Sequence, residues 1–246
     1  MTGDAIGLEL EAFDDIAAPR RGREGVVRAE PIPVSGDFRP ALHRAIDAMA
    51  GDLVAMAGLV SGALTSCAAA LRGEPGRCDA VIRGDADVNA IHHRVRHSVL
   101  STLTTQAPLA RDLRSVVAAL LVVEELERMG DHCVSIAKQC GHLTAASPET
   151  RESLAHIADL CVEQVHDVAT AIADRDCDRA RDVAARDSAI NAAYHNVIDT
   201  LLEGDGEGAG PAVVLVAHHL ERIGDRVTNI AEHITFAVDG TLVELG

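Results

Sequence analysis

The stretch LERMGDHCVSIAK runs from Leu126 to Lys138, and LERIGDRVTNIAE runs from Leu220 to Glu232. Leu, Glu, Arg, Gly and Asp recur at one spacing, 94 residues apart. Upstream, Val81, Val88, Val95 and Val99 stand 102 residues before Val183, Ile190, Val197 and Leu201. Asp85, Asn89 and His93 stand the same 102 residues before Asp187, Asn191 and His195. Between the two sets the second half has become shorter, where LTTQAPLARDLR gives way to the Gly-rich LEGDGEGAGP. Two related units in tandem explain both offsets.

Each unit reads as three helices. Ala119, Val122, Leu126, Met129, Cys133, Ile136 and Cys140 recur at steps of three and four, and so do Val213, Val216, Leu220, Ile223, Val227, Ile230 and Ile234. That is the apolar seam of a helix that packs into a bundle. Breaks rich in Pro and Gly fall at 73–76, at Pro108, at Pro148 and at 204–211. They leave six helices near 38–72, 78–105, 109–142, 149–174, 177–203 and 211–238. The predicted fold is all-α: a first three-helix bundle over 37–143 and a second over 148–240. Residues 1–36 hold three prolines and no sustained periodicity, so they read as a tail of low order.

At about 100° per residue, Glu124, Glu127, Asp131 and Ser135 fall on the flank away from the seam. The second copy of that stripe is His218, Glu221, Asp225 and Asn229. Gly130 and Gly224 lie beside the seam. A glycine inside a helix costs roughly 1 kcal/mol relative to Ala, so a glycine at one position in both copies predicts a close helix neighbour. Asp85 and Asn89, repeated as Asp187 and Asn191, line one flank of the preceding helix, with His93 and His195 a further turn along. Each unit can therefore present carboxylate, amide and imidazole groups from two antiparallel helices. Hard and borderline cations take such ligands. The competing reading is an ordinary solvated acidic face. The candidate metal ligands are Asp85, Asn89, Glu124, Glu127 and Asp131 in the first unit, and Asp187, Asn191, His218, Glu221, Asp225 and Asn229 in the second.

Composition narrows the functional classes. Hydrophobic residues make up 48% of the 246, aromatics only 2%, and the formal net charge is −16. A core without ring systems suits close helix packing. Without a basic patch to displace counterions from phosphates, a nucleic-acid partner is not expected. The six cysteines contain no CxxC pair, which argues against a zinc ribbon and for a reducing, cytoplasmic setting. The longest unbroken apolar run, Val116 to Val123, is far below the roughly 20 residues of a membrane span, so membrane association is expected to be peripheral at most. Glu163 and His166 form a single Glu-x-x-His, whereas a di-metal carboxylate bundle needs two. No nucleophile–base pair and no phosphate-binding Gly loop stand out.

With these residues in place, the chain resembles the PhoU family, the accessory regulators of bacterial phosphate uptake. The two acidic motifs, QAPLARDLR at 106–114 and NIAEHITFAVDG at 229–240 carry the likeness, over roughly residues 38–240. The resemblance implies two three-helix bundles whose acidic motifs hold metal ions, with iron, zinc, manganese and magnesium all open. It implies a non-enzymatic, cytoplasmic negative regulator of the phosphate-starvation response. The implied partners are the ATPase subunit of the phosphate ABC importer, a phosphate-sensing histidine kinase and a second copy in a homodimer. Ser135 in place of Asn229, the absence of a second QAPLARDLR and the N-terminal tail depart from the family pattern. A carboxylate-bridged metalloenzyme and a metal-free helical scaffold are the rival readings.

Overall fold

Among the described residues, 39–203, 209–241 and 243–245 of a computed structural model, the regular structure is helical. The order is α1 (Pro40–Leu71), α2 (Arg77–Gln106), α3 (Ala110–Gln139), a short 3-10 turn (Cys140–Ala145), α4 (Pro148–Asp174), α5 (Cys177–Ala185), α6 (Asp187–Glu203) and α7 (Gly210–Asp239). The expectation for residues 1–36 lies outside these residues.

Local chemistry sets the helix ends. Ser147 accepts a hydrogen bond from the Thr150 amide at 3.1 Å and Pro148 follows it, so α4 opens with its cap and its first turn pre-formed. Asp176 caps α5 in the same way, accepting from the Arg179 amide at 3.0 Å. At the far end of α7, Gly240 is left-handed (φ 77°) and its amide returns to the Phe236 carbonyl.

The predicted fifth helix is two helices. The chain turns at Arg186, whose carbonyl accepts from the Ala189 amide at 3.1 Å, and Asp187 begins α6. Its counterpart α2 runs unbroken through Asp85. The break lies in ARDSA, where Asp and Ser favour helix starts over helix interiors.

In each repeat the seam residues are core: Leu126, Met129, Cys133 and Ile136 on α3, and Leu220, Ile223, Val227 and Ile230 on α7 are fully buried. Helix α3 packs along α7 and α1 packs along α4, so the two repeats share a broad face and Arg39–Gly246 forms one unit. Two cross-joint pairs fix the α3–α7 register: His132 with His219, and Glu125 with Arg226. They run antiparallel. At the 94-residue offset they are one pair with its members exchanged, which places a pseudo-twofold axis between them.

Helix α1 is long and apolar enough to cross a membrane, a feature that the longest unbroken apolar run does not reveal. Gly, Ser and Thr interrupt the run, yet no charge falls between Leu53 and Leu71. Its large side chains, including Leu42, Met49, Met56 and Leu64, are buried within the bundle. All six cysteines are free.

Candidate functional site

Two clefts face the predicted residues. The first lies between α2 and α3, the second between α6 and α7, and a glycine sets the spacing in each. A Cβ on Gly130 would sit 3.2 Å from Val88 Cγ1 and 3.6 Å from Asp85 Oδ1. A Cβ on Gly224 would sit 2.7 Å from Asp187 Oδ1 and 3.2 Å from Ile190 Cδ1. The close neighbour that the repeated glycine predicts is therefore the aspartate-bearing turn of the preceding helix.

On those turns Asn89 donates to Asp85 Oδ2 at 2.8 Å, and Asn191 donates to Asp187 Oδ2 at 2.7 Å. Each amide holds its carboxylate from one side and leaves the second oxygen facing the glycine. In the second cleft Asp187 Oδ1 and Glu221 Oε2 are buried without a hydrogen-bond partner. A buried carboxylate oxygen without a hydrogen bond is costly. Burial and the Asp225 carboxylate raise the pKa of Asp187. Burial, Asp225 and Asp187 raise that of Glu221 against Arg222 and His218. In the first cleft, burial followed by Asp131 raises Glu127, with Glu124 adding to the effect and His92 opposing it. Negative charge is crowded in both clefts.

The stripes are less exposed than the helical angles alone suggest. Asp131 is exposed, but Glu124, Glu127, Glu221 and Asp225 are half-buried, because the neighbouring helix approaches so closely at each glycine. Asn229 leaves its stripe and donates to Glu125 Oε2 across the joint at 3.3 Å. Eight residues past Glu221, it is rotated by about 80°. Its counterpart Ser135 donates to the Asp131 carbonyl at 2.9 Å. Arg222 lies 2.9 Å from Asp225 Oδ2 and 3.5 Å from Glu221 Oε2. Among the described residues, no three His, Cys, Asp or Glu side chains converge closely enough to hold an ion.

The imidazole of the first cleft is His92. His93 and His195 are exposed, whereas His92 is only 6% exposed and its Nε2 lies 3.2 Å from Glu124 Oε1. Seven residues past Asp85, His92 returns to within about 20° of it, while His93 stands about 80° away. A step of seven in place of eight is the signal that identifies it. Tyr194 occupies the corresponding place in the second cleft, and the imidazole there is His218 on α7, 3.7 Å from Glu221 Oε2. Glu163 and His166 are both exposed and form no site.

Between the clefts, Glu125 is 12% exposed and receives Arg226 at 3.2 Å. His132 Nδ1 and His219 Nδ1 are 3.1 Å apart. Burial, followed by His219 and Arg226, pushes the His132 pKa down to about 4, and burial lowers that of His219 as well. The pair is neutral at pH 7, with one ring donating to the other.

The PhoU domain pattern matches residues 53–140 and 154–234, once in each repeat. The chain belongs to the PhoU family. A Caulobacter vibrioides (strain NA1000 / CB15N) protein described as a phosphate-specific transport system accessory protein PhoU homolog is 32% identical over 200 residues, covering 78% of this chain and 87% of that one. A Zymomonas mobilis protein of the same description is 34% identical over 192 residues, covering 75% and 81%. The crystal structure of PhoU from Pseudomonas aeruginosa superposes with a TM-score of 0.75 at 26% identity, covering 81% of this chain and all of that one. Each matched span includes the segment of the PhoU-family chain that carries the cleft carboxylates, on α3 in the first and on α7 in the second.

Proposed function

We propose that this chain is a non-enzymatic, cytoplasmic accessory protein that negatively regulates phosphate uptake and the phosphate-starvation response. It acts by contact with the importer's ATPase subunit and a phosphate-sensing histidine kinase, as a homodimer. Relatives described as phosphate-specific transport system accessory proteins support the regulatory role.

We further propose that the clefts hold cations. The observation that carries this is the pair of buried carboxylate oxygens that no hydrogen bond satisfies, Asp187 Oδ1 and Glu221 Oε2, in a cleft that already repels negative charge. Iron, zinc, manganese and magnesium all suit the oxygen-rich donor set. Asp187, Asn191, His218, Glu221 and Asp225 would hold an ion in the second cleft. Asp85, Asn89, Glu124, Glu127 and Asp131 would do so in the first, with His92 beside them. A bound cation supplies charge neutralisation. The chain's own residues do the rest: Asn89 and Asn191 orient the aspartates, the glycines bring the helices together, and Arg222 must release Asp225. Arg222 also favours the rival reading, a metal-free scaffold in which arginine alone neutralises the second cleft.

Metal analysis of purified protein separates the two. Replacing Glu221 and Asp225 together with Ala removes the second-cleft metal on the first reading and changes nothing on the second. In cells, deleting the gene derepresses phosphate-starvation genes at high phosphate. A variant with Glu127, Asp131, Glu221 and Asp225 changed to Ala folds but fails to restore repression. Normal repression in the deletion strain, with no second copy of the gene, would refute the regulatory role.

A further inference from the structure

Away from the clefts, α1, α3, α4 and α7 surround a cavity of about 70 Å³. Ile46, Leu53, Ala118, Val122, Ile172 and Ile234 form its apolar walls, and among the described residues its polar lining is Arg111, Ser115, Arg175 and His233. An adjoining, more polar pocket of about 290 Å³ shares Ile46, Arg111, Ser115 and Arg175 and adds His43, Asp47 and Asp112. Most of these charges are already paired. Arg175 bonds Asp47 at 2.9 Å, and His43 lies 3.6 Å from Asp112. The Arg111 guanidinium has no ionic or hydrogen-bond partner among the described residues.

An apolar cavity with a few convergent polar groups is the usual form of a small-molecule site. At roughly 10–15 Å³ for each water-sized group, the cavity takes about five to seven heavy atoms. We propose that it binds a short-chain aliphatic carboxylate. The hydrocarbon tail fills the space between Leu53, Val122, Ile172 and Ile234. The carboxylate stays at the mouth on Arg111, with the Ser115 hydroxyl and Arg175 as further donors. A guanidinium presents a fork of N–H groups that matches a carboxylate. Inorganic phosphate has no tail to bury, and an aliphatic amine would meet Arg111 with like charge.

The walls come from both repeats, Ile46, Ala118 and Val122 from the first and Ile172 and Ile234 from the second. Binding therefore ties the repeats together and raises the melting temperature. The proposal is independent of the metal clefts and of the phosphate role.

Calorimetric titration and thermal melting of the full chain with hexanoate, hexylamine and inorganic phosphate test it. Hexanoate binds saturably and raises Tm with dose, while hexylamine and phosphate at equal concentration do neither. Arg111→Ala, at an exposed position, weakens hexanoate binding about tenfold. Ala118→Leu fills the cavity and abolishes binding. If that variant does not fold, Arg111→Ala still decides the matter. Absence of hexanoate binding, undiminished binding by Arg111→Ala, or equal binding of hexylamine or phosphate would overturn the proposal.

Discussion

Replacing three helical glycines with alanine tests how each cleft is built. In an open helix, Gly→Ala stabilises by up to about 1 kcal/mol, because alanine loses less backbone entropy. Gly51 on α1 has no atom within 4 Å of an added Cβ, so it should show this gain. At Gly224 the added Cβ lies 2.7 Å from Asp187 Oδ1 and 3.2 and 3.3 Å from two Ile190 methyl carbons. Asp187 can retreat only by giving up its Asn191 hydrogen bond, and Ile190 is fully buried. Overpacking of this kind costs about 1–3 kcal/mol. Against a propensity gain of about 1 kcal/mol, Gly224→Ala should destabilise by about 1 kcal/mol, which lowers Tm by roughly 2–4 °C for a domain of this size. At Gly130 the nearest atoms are Val88 Cγ1 at 3.2 Å and Asp85 Oδ1 at 3.6 Å. There the two effects nearly cancel, to within about 0.5 kcal/mol. The expected order of stability in calorimetry is Gly51→Ala, then wild type with Gly130→Ala, then Gly224→Ala. Equal stability of the Gly224 and Gly51 variants would show that α6 does not approach α7 as described.

Glu125→Ala should cost about 2–3 kcal/mol, because it strands the Arg226 guanidinium at the joint, whereas Asp52→Ala, at an exposed pair with Arg94, should stay within about 0.5 kcal/mol. Denaturant melts of the two variants check this, and a small effect at Glu125 would refute it. In chelator-treated protein, stability should fall as pH drops from about 6.5 towards 4. The His132 pKa is about 4 when folded against 6.5 in the open chain, so the unfolded state takes up the proton first. Protonation of Glu127, Glu221 and Asp187, whose pKa values are raised, works in the opposite direction. Comparing His132→Gln with wild type isolates the histidine, and identical pH slopes would count against its depressed pKa.

The repeat made most of the fold legible. A seam at steps of three and four places Leu126 and Leu220 in the core because a helix buries the side facing its neighbours, whatever those neighbours are. The repeated Gly130 and Gly224 announced a close approach for the same reason. The helix break at Arg186 was not legible, since VAARDSAI carries apolar residues at helical spacing on both sides of it. Nor was the direction of Asn229, because the flank of α7 that meets α3 depends on how the repeats pack together. His92 stands beside the first site in the sequence but off the repeated register, because Tyr194 is its counterpart whereas His93 matches His195, so the repeat favours the exposed histidine. The cavity beneath Arg111 draws its walls from four helices, and no local pattern encodes that.

Where the copies differ is as informative as where they agree. A duplicated gene carries its residues into both halves whether or not they work, so the shared Asp, Asn, Glu and Asp are weak evidence for a ligand by themselves. The imidazoles are different. In the first cleft the imidazole is His92 on α2, facing Glu124 on α3. In the second, the place of His92 is taken by Tyr194 and the place of Glu124 by His218, which faces Glu221. Each cleft keeps one imidazole beside its carboxylates, but on the opposite helix of the pair. Simple inheritance from one ancestral unit would leave both at the same position. Retaining the group while moving its attachment point is what a requirement on the cleft's chemistry would produce. A cation held by mixed oxygen and nitrogen donors imposes such a requirement; a solvated acidic surface does not. The shared arginine also behaves differently in the two copies: Arg222 pairs with Asp225 and Glu221, whereas its counterpart Arg128 is exposed. The two clefts should therefore differ in metal affinity, and a two-step chelation curve, with one step lost in the Glu221→Ala/Asp225→Ala variant, is the signature to look for.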